Sequence, residues 1–230
     1  MVADALLRSL KHVWTTLEPL GMPMAITGGI ALASWEHVRA TQDVDILIAI
    51  GDTNVTAMLD RLRKAHIRPK HTPALRSLGQ IDLLQLLYEP PGTFLDLQID
   101  LLIARSAYHE QALERCVTTR LDDLGLEVAV VACEDLILLK LLAGRIIDRA
   151  DAAAILRTNH SSLDLTYLAH WVGKLDLAQS LTEIWREALP DETPLASSKS
   201  QIANHKLQTN SNDRNPNDQN TGDSQYDLEG

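Results

Sequence analysis

Asp43 and Asp45, one residue apart in "QDVDILI", lie inside an apolar run where a core strand does not normally accept even one carboxylate. At strand period both side chains leave the same face, about 7 Å apart along it. Carboxylates that close repel, and burial raises the pKa of each. A divalent cation removes the conflict, and Mg²⁺ prefers one or two carboxylates completed by waters and substrate phosphates. Asp100 supplies a third acid in the middle of a later apolar strand, "LQIDLLI"; Asp96 has the same parity but lies nearer a turn. Upstream, Gly28-Gly29 falls between a short strand and a helix, where missing side chains let phosphate approach backbone N–H groups. A triphosphate there would sit beside ions held by Asp43 and Asp45. Asp100 could then help hold a second ion and activate an attacking hydroxyl. Two ions of this kind clamp the attacking and leaving oxygens of an in-line displacement.

Gly-Gly, thirteen further residues, Asp-x-Asp in an apolar strand and a later strand aspartate make a composite pattern. Through Gly28, Gly29, Asp43, Asp45 and Asp100 the chain resembles the polymerase-β-like nucleotidyltransferase superfamily. The blocks "RATQDVDILI" and "EDLILLKLLAGRIIDRADAAAIL" are similar to its bacterial abortive-infection toxin-type branch, the AbiEii-like minimal nucleotidyltransferases, with matches over roughly residues 24–157. The resemblance implies Asp43, Asp45 and Asp100 as catalytic and metal-binding residues, with two Mg²⁺ or Mn²⁺ ions and a bound NTP. It adds Arg39, Thr41 and Lys140 to Gly28 and Gly29 as nucleotide or acceptor contacts, and an antitoxin protein as a partner. Cys133 departs from the branch, which tends to cap that helix with Ser or Thr; the departure weakens the cap and not the chemistry.

These residues need elements to place them. Residues 3–18 carry Leu6, Leu10, Val13, Trp14 and Leu17 on one side of an amphipathic helix. Met24–Thr27 reads as a strand, Gly28 to about Val38 as a helix, Asp43–Ile50 as a strand and Val55–His66 as a helix. A Pro-containing loop follows. Strands "IDLLQLLY" and "TFLDLQIDLLIA" flank an "EPPG" turn, a hairpin signal. Then come a helix at 108–116, a strand at 127–131, one long or broken helix at 133–157 and two helices at about 164–174 and 176–188. Strands first and helices last predict an α+β (α/β) fold. It combines a small mixed sheet and flanking helices (1–132) with a short helical C-terminal part (133–189).

Along the long helical segment, Leu136, Leu139, Ala143, Ile147, Ala150 and Ala154 form one stripe at 100° per residue. Lys140 and Asp151 border it and Asp148 lies further out. Border positions suit a pocket rim, from which Lys140 reaches a triphosphate as a point charge. The bland alternative is surface ion pairing among Lys140, Arg145, Asp148 and Arg149, worth little in stability. The four tryptophans show no stacking pattern and read as core.

The stretch 190–230 is polar and aperiodic and cannot offset its ordering entropy, so it reads as a disordered tail. It carries seven acids against three bases, leaving a body near −6 of the net −10. An acidic body argues against a wide nucleic-acid surface but leaves room for a local basic patch. The segment 61–76 is such a patch: Arg61, Arg63, Lys64, Arg68, Lys70 and Arg76 with His66 and His71 and no acid. It could contact an RNA backbone or simply be solvated. Two cysteines, Cys116 and Cys133, are too few for a disulfide framework and too far apart for a paired metal motif. No apolar run reaches the ~18 residues of a membrane span, and a cytoplasmic protein is expected.

The reaction expected is metal-dependent transfer of a nucleotidyl group from an NTP to an acceptor hydroxyl, releasing pyrophosphate, with an RNA or tRNA 3′ end favoured and a toxin role implied. The alternatives are an aminoglycoside- or protein-modifying nucleotidyltransferase and a catalytically inert binding module of the same fold.

Overall fold

The computed structural model describes residues 2–51, 55–78 and 81–195. Its first helix, α1 (Val2–Leu17), buries the predicted stripe from Leu6 to Leu17. Strand β1 (Met24–Thr27) runs antiparallel to β2 (Asp43–Ile48), and α3 (Val55–Lys64) follows β2. The predicted hairpin is present as β5 (Ile81–Tyr88) and β6 (Leu97–Ile103). After α4 (Ala107–Glu114) come β7 (Val117–Leu121) and β8 (Leu126–Val130), which pairs parallel with β1. Four helices close the described part of the chain: α5 (Cys133–Ala143), α6 (Ile146–Asn159), α7 (Leu165–Lys174) and α8 (Ala178–Ala188).

Three expectations are corrected. The helix expected from Gly28 to about Val38 is only one short turn, α2 (Gly28–Ala31), followed by a 3-10 turn at Leu32–Trp35. It stops because Glu36 turns left-handed (φ 58°) while the His37 amide donates back to Leu32 O at 3.0 Å. The basic segment is not a plain loop: it contains β3 (Arg68–Pro69) and β4 (Leu75–Leu78), both antiparallel to β5. β7 has no counterpart among the expected strands.

The result is one eight-stranded mixed sheet in the order β3-β5-β6-β2-β1-β8-β7, with β4 also on β5. β2 and β6 are parallel and in register from Asp43↔Gln98 to Ile48↔Ile103. Strict alternation in β6 buries Leu97, Ile99, Leu101 and Ile103 on one face and leaves Gln98 and Asp100 on the other. Helix α1 packs on α3 and β2, α4 on β2, α5 on α6 and α7, and α6 on α8. A single hydrophobic cluster runs from Leu6 to Ala188 and takes in Trp14, Trp171 and Trp185.

Behind the sheet, fully buried Asp135 ties α5 to α7 by accepting from Tyr167 Oη at 2.6 Å. Burial pushes Asp135 up to about 6, against the pull of Tyr167 and Arg115.

The described fold continues past Leu189, where the sequence places the start of the tail. Leu195 packs against the core and His160 lies 3.3 Å from Glu192, so 190–195 belong to the folded body. The remainder of the expected tail, 196–230, lies outside the described residues. A chain ending at Leu189 is therefore expected to melt a few degrees below one ending at Leu195. Equal midpoints for the two, by calorimetry, would return the boundary to Leu189.

Candidate active site

Register builds the site. Thr27 of β1 stands opposite Asp45 of β2, Asp45 opposite Asp100 of β6, and Asp100 opposite Gln85 of β5. Directly opposed residues share a face, so four neighbouring strands contribute one polar row to a mostly apolar sheet. Asp43 and its partner Gln98 lie on the same face, one step toward the strand starts.

The electrostatics of the row follow from its crowding. Burial, then Asp100, then Asp43 push the Asp45 carboxyl up to about 7, while Lys140 and the Gly29 amide pull the other way. Burial also raises Asp100, opposed by amide donors from Gln98 and Gln85 and by the charge of Lys70. Asp96, outside β6, is instead paired with Arg68 at 2.6 Å.

Both glycines are required by close approach. A Cβ on Gly28 would lie 1.9 Å from Asp45 Oδ2, and one on Gly29 would lie 2.5 Å from Thr41 Oγ1. Gly28 is also left-handed at φ 62°, a region disfavoured for any residue with a Cβ. The space expected to admit phosphate is thus filled by the Asp45 and Thr41 side chains. Gly28→Ala is expected to displace the Asp45 carboxylate, to cost roughly 1–3 kcal/mol in urea unfolding and to abolish turnover. Gly21→Ala is the control: Gly21 shares the backbone strain (φ 66°) with nothing within 4 Å of its Cβ. Equal loss of activity in the two variants would refute the close-approach explanation.

Facing the row is a buried ion network and not the surface pairing considered above. Lys140 Nζ donates to Asp148 Oδ1 at 3.0 Å and to Asp151 Oδ2 at 2.8 Å, and all three residues are at most 4% exposed. Arg39 donates to both oxygens of Asp151 at 2.8 Å, and Arg145 to both of Asp148 at 2.6 and 3.1 Å. Burial alone would raise both carboxyls. Donors from Arg145 and Lys140 at Asp148, and from Arg39 and Lys140 at Asp151, outweigh it and hold both below the ordinary range. Arg149 is not a member; it pairs with Glu183 at 2.8 Å. The stripe reading fails at Gly144, whose φ of 67° breaks the helix. Periodicity carried across that break puts Asp148 outside and Ile147 inside, whereas Asp148 is 1% exposed and Ile147 48%.

Thr27 and Asp45 from the sheet, Gly28 at the start of α2, and Lys140, Arg145 and Asp148 from the α5–α6 segment line one open cleft together with Leu102 and Leu136. Of the sequence candidates, the structure thus brings together Gly28, Gly29, Asp43, Asp45, Asp100 and Lys140. Thr41 packs on Gly29, and Arg39 is committed to Asp151. Among the described residues no three acidic, histidine or cysteine side chains close around a common point. The carboxylates form a face and not a finished cage. Such a face, with Asp45 and Asp100 held above their ordinary pKa by burial and by neighbouring carboxylates, fits a hard divalent ion that takes one or two carboxylates and completes its shell with water and phosphate.

Sequence reasoning misses Gln85 and Gln98. A signal exists for one of them: Gln98 is two residues before Asp100, hence on its face.

The chain resembles several solved structures at low identity. An antigenic nucleotidyltransferase-like protein from Paracoccidioides brasiliensis is 19% identical with a TM-score of 0.44, covering 78% of this chain and 93% of that one. JHP933 from Helicobacter pylori is 13% identical with a TM-score of 0.48, covering 91% and 97%. The antibiotic-resistance factor ANT(2'')-Ia is 11% identical with a TM-score of 0.45, covering 92% and 100%. No curated protein matches the chain in sequence. Residues 12–218, which include the whole carboxylate row and the Lys140 network, match the family described as nucleotidyl transferase AbiEii toxin, type IV TA system. The chain belongs to the AbiEii nucleotidyltransferase toxin family and is a nucleotidyltransferase.

Proposed function

We propose that the chain transfers a nucleotidyl group from an NTP to the 3′ hydroxyl of an RNA acceptor, a tRNA end foremost, as the toxin of a cytoplasmic toxin–antitoxin pair. The observation that carries the reading is the Asp45–Asp100 row facing Lys140 across the cleft. Asp43, Asp45 and Asp100 would hold Mg²⁺ or Mn²⁺, which when bound offsets the charge of carboxylates and triphosphate and polarises the reacting phosphate. Gly28 and Gly29 leave room for the Asp45 and Thr41 side chains beside the nucleotide. Lys140, fixed by Asp148 and Asp151, presents a point charge to the phosphates. Arg39 and Thr41 act one step back, holding Asp151 and backing Gly29. The acceptor oxygen attacks the α-phosphorus, the bond to the β-phosphate oxygen breaks, and pyrophosphate leaves. The acceptor proton passes to Asp100, the acid that the sheet register sets opposite Asp45.

RNA is favoured over an aminoglycoside or a protein because the basic segment reaches the acidic row. Lys70 and His71 bond the two glutamines that touch Asp100, and Arg76 Nη1 lies 3.4 Å from His71. Not all its cations are free for phosphate: Arg61 donates to Thr16 O, and Arg63 and Arg68 are paired with Asp60 and Asp96.

The test is labelled NTP with total RNA, total protein or aminoglycosides, over a salt series. A variant with Lys64 and Arg76 changed to Gln should bind RNA more weakly. Its log–log salt slope should flatten by roughly 0.7–0.9 for each phosphate that is no longer neutralised. Metal-dependent pyrophosphate exchange should survive. An unchanged slope removes the segment from acceptor binding. Label in protein or antibiotic and none in RNA transfers the reading to those acceptors. No pyrophosphate release with any NTP leaves the inert binding module.

A further inference from the structure

Asp100 is held by a chain of side chains that no reading of the carboxylates alone requires. Its two oxygens accept from Gln98 Nε2 at 3.0 and 3.1 Å and from Gln85 Nε2 at 3.3 and 3.4 Å. The far ends of both amides are held too. Lys70 Nζ donates to Gln98 Oε1, and His71 Nε2 lies 2.9 Å from Gln85 Oε1. The Lys70 amide donates to Gln85 O at 2.9 Å, which anchors the cationic end to the sheet.

Donor chemistry fixes the direction of this chain. An ammonium only donates and an ionised carboxylate only accepts. Gln98 must therefore turn its oxygen to Lys70 and its NH₂ to Asp100, whichever way the amide is first assigned. The same logic at Gln85 puts the proton of His71 on Nε2, so Arg76 is a charge neighbour of that nitrogen and not its donor. All the bonds run one way, from the exposed strand edge to the carboxylate. Two long amide side chains give up rotamer freedom to converge on one acid, with Leu83, Leu87 and Leu102 beside them on the same face of β5 and β6.

We propose that Gln98 and Gln85, set by Lys70 and His71, are positioning residues that hold the Asp100 carboxylate in one orientation for the acceptor hydroxyl. The inference rests on the role given to Asp100 above and extends the reacting machinery to the β3 edge. Lys70 is not buried, so its removal tests the chain without opening the core.

Gln98→Met, Lys70→Met and Lys70→Arg separate the possibilities. Gln98→Met removes the donor at similar length and is expected to lower kcat for transfer roughly 10–100-fold with KM for NTP unchanged. Lys70→Met should show a smaller loss in kcat, and Lys70→Arg, which still donates, should recover it. The second readout needs no turnover: the ¹H–¹⁵N signals of the Gln98 side-chain amide should be shifted and slow to exchange in the unmodified chain, and averaged in Lys70→Met. Unchanged kcat in Gln98→Met overturns the proposal. So does a Lys70→Met effect confined to KM for the acceptor, which would make Lys70 a binding contact only. An unmodified chain with ordered amides and no transfer would refute the nucleotidyl-transfer reading instead. Freely averaging amides in the unmodified chain would overturn the positioning chain whatever the activity.

Discussion

Asp45→Asn is expected to abolish nucleotidyl transfer and, in the absence of divalent ions, to raise the melting temperature at pH 8 but not at pH 4. The first effect follows from removing one of the charges that a bound ion and its triphosphate require. That electrostatic contribution is several kcal/mol in the transition state, or roughly a thousandfold or more in rate. The second follows from linkage. The Asp45 carboxyl is raised to about 7 in the folded chain by burial and by Asp100 and Asp43, whereas an unfolded aspartate titrates near ~3.9. Between those values the folded chain binds the extra proton, so stability falls as pH rises and the penalty is complete only above about pH 7. Asn carries no charge at any pH and can still accept from the Gly29 amide, so its advantage should grow through that window. Mg²⁺ should stabilise the unmodified chain by binding the folded state and do far less for the variant. A melting difference independent of pH, or full transfer by the variant, would defeat this account of the row.

Why the row is legible in the sequence and its supports are not is a matter of periodicity. Asp43, Asp45 and Asp100 stand out because a short alternating strand makes a charge on it conspicuous, and the sheet register then places Asp45 opposite Asp100. Gln98 has the same parity but is polar without being charged, and nothing local says that Lys70, 28 residues away in sequence, will bond it. β3 is two residues long and exists through its pairing with β5, so local sequence gives it no signature. β7, "VTTRL", has no buried residue, and an edge strand solvated on both sides loses the alternation that marks a strand. The helix at Gly28 is expected to run too far because Ala31–Trp35 is helix-permissive; the left-handed Glu36 that ends it is not a glycine and gives no warning. Lys140 is visible as a candidate, but its surroundings are not, for one reason: Gly144 resets the helical phase.

That reset changes what replacing Lys140 should do. Surface pairing would make Lys140→Met nearly neutral for stability. In the buried network the change leaves Asp148 and Asp151, 1% and 2% exposed, without their shared cation. Breaking a buried pair costs about 3–5 kcal/mol. Each carboxylate here keeps an arginine, Arg145 or Arg39, which places the expected loss near the lower end, about 3 kcal/mol. The pH dependence has a definite sign. Both carboxyls sit below their ordinary range, so the stability they contribute is present above about pH 4 and lost as pH falls below it. The difference between Lys140→Met and the unmodified chain should therefore be large at pH 7 and shrink toward pH 3. Removing Asp148 as well, in Lys140→Met/Asp148→Asn, takes away a buried charge together with its partner and should recover much of the lost stability. It should not recover transfer, because the point charge beside Asp45 is still missing. Urea unfolding at pH 7 and pH 3, with pyrophosphate release measured on the same samples, separates the two roles. A stable double variant that transfers nucleotide at the unmodified rate would confine Lys140 to the fold.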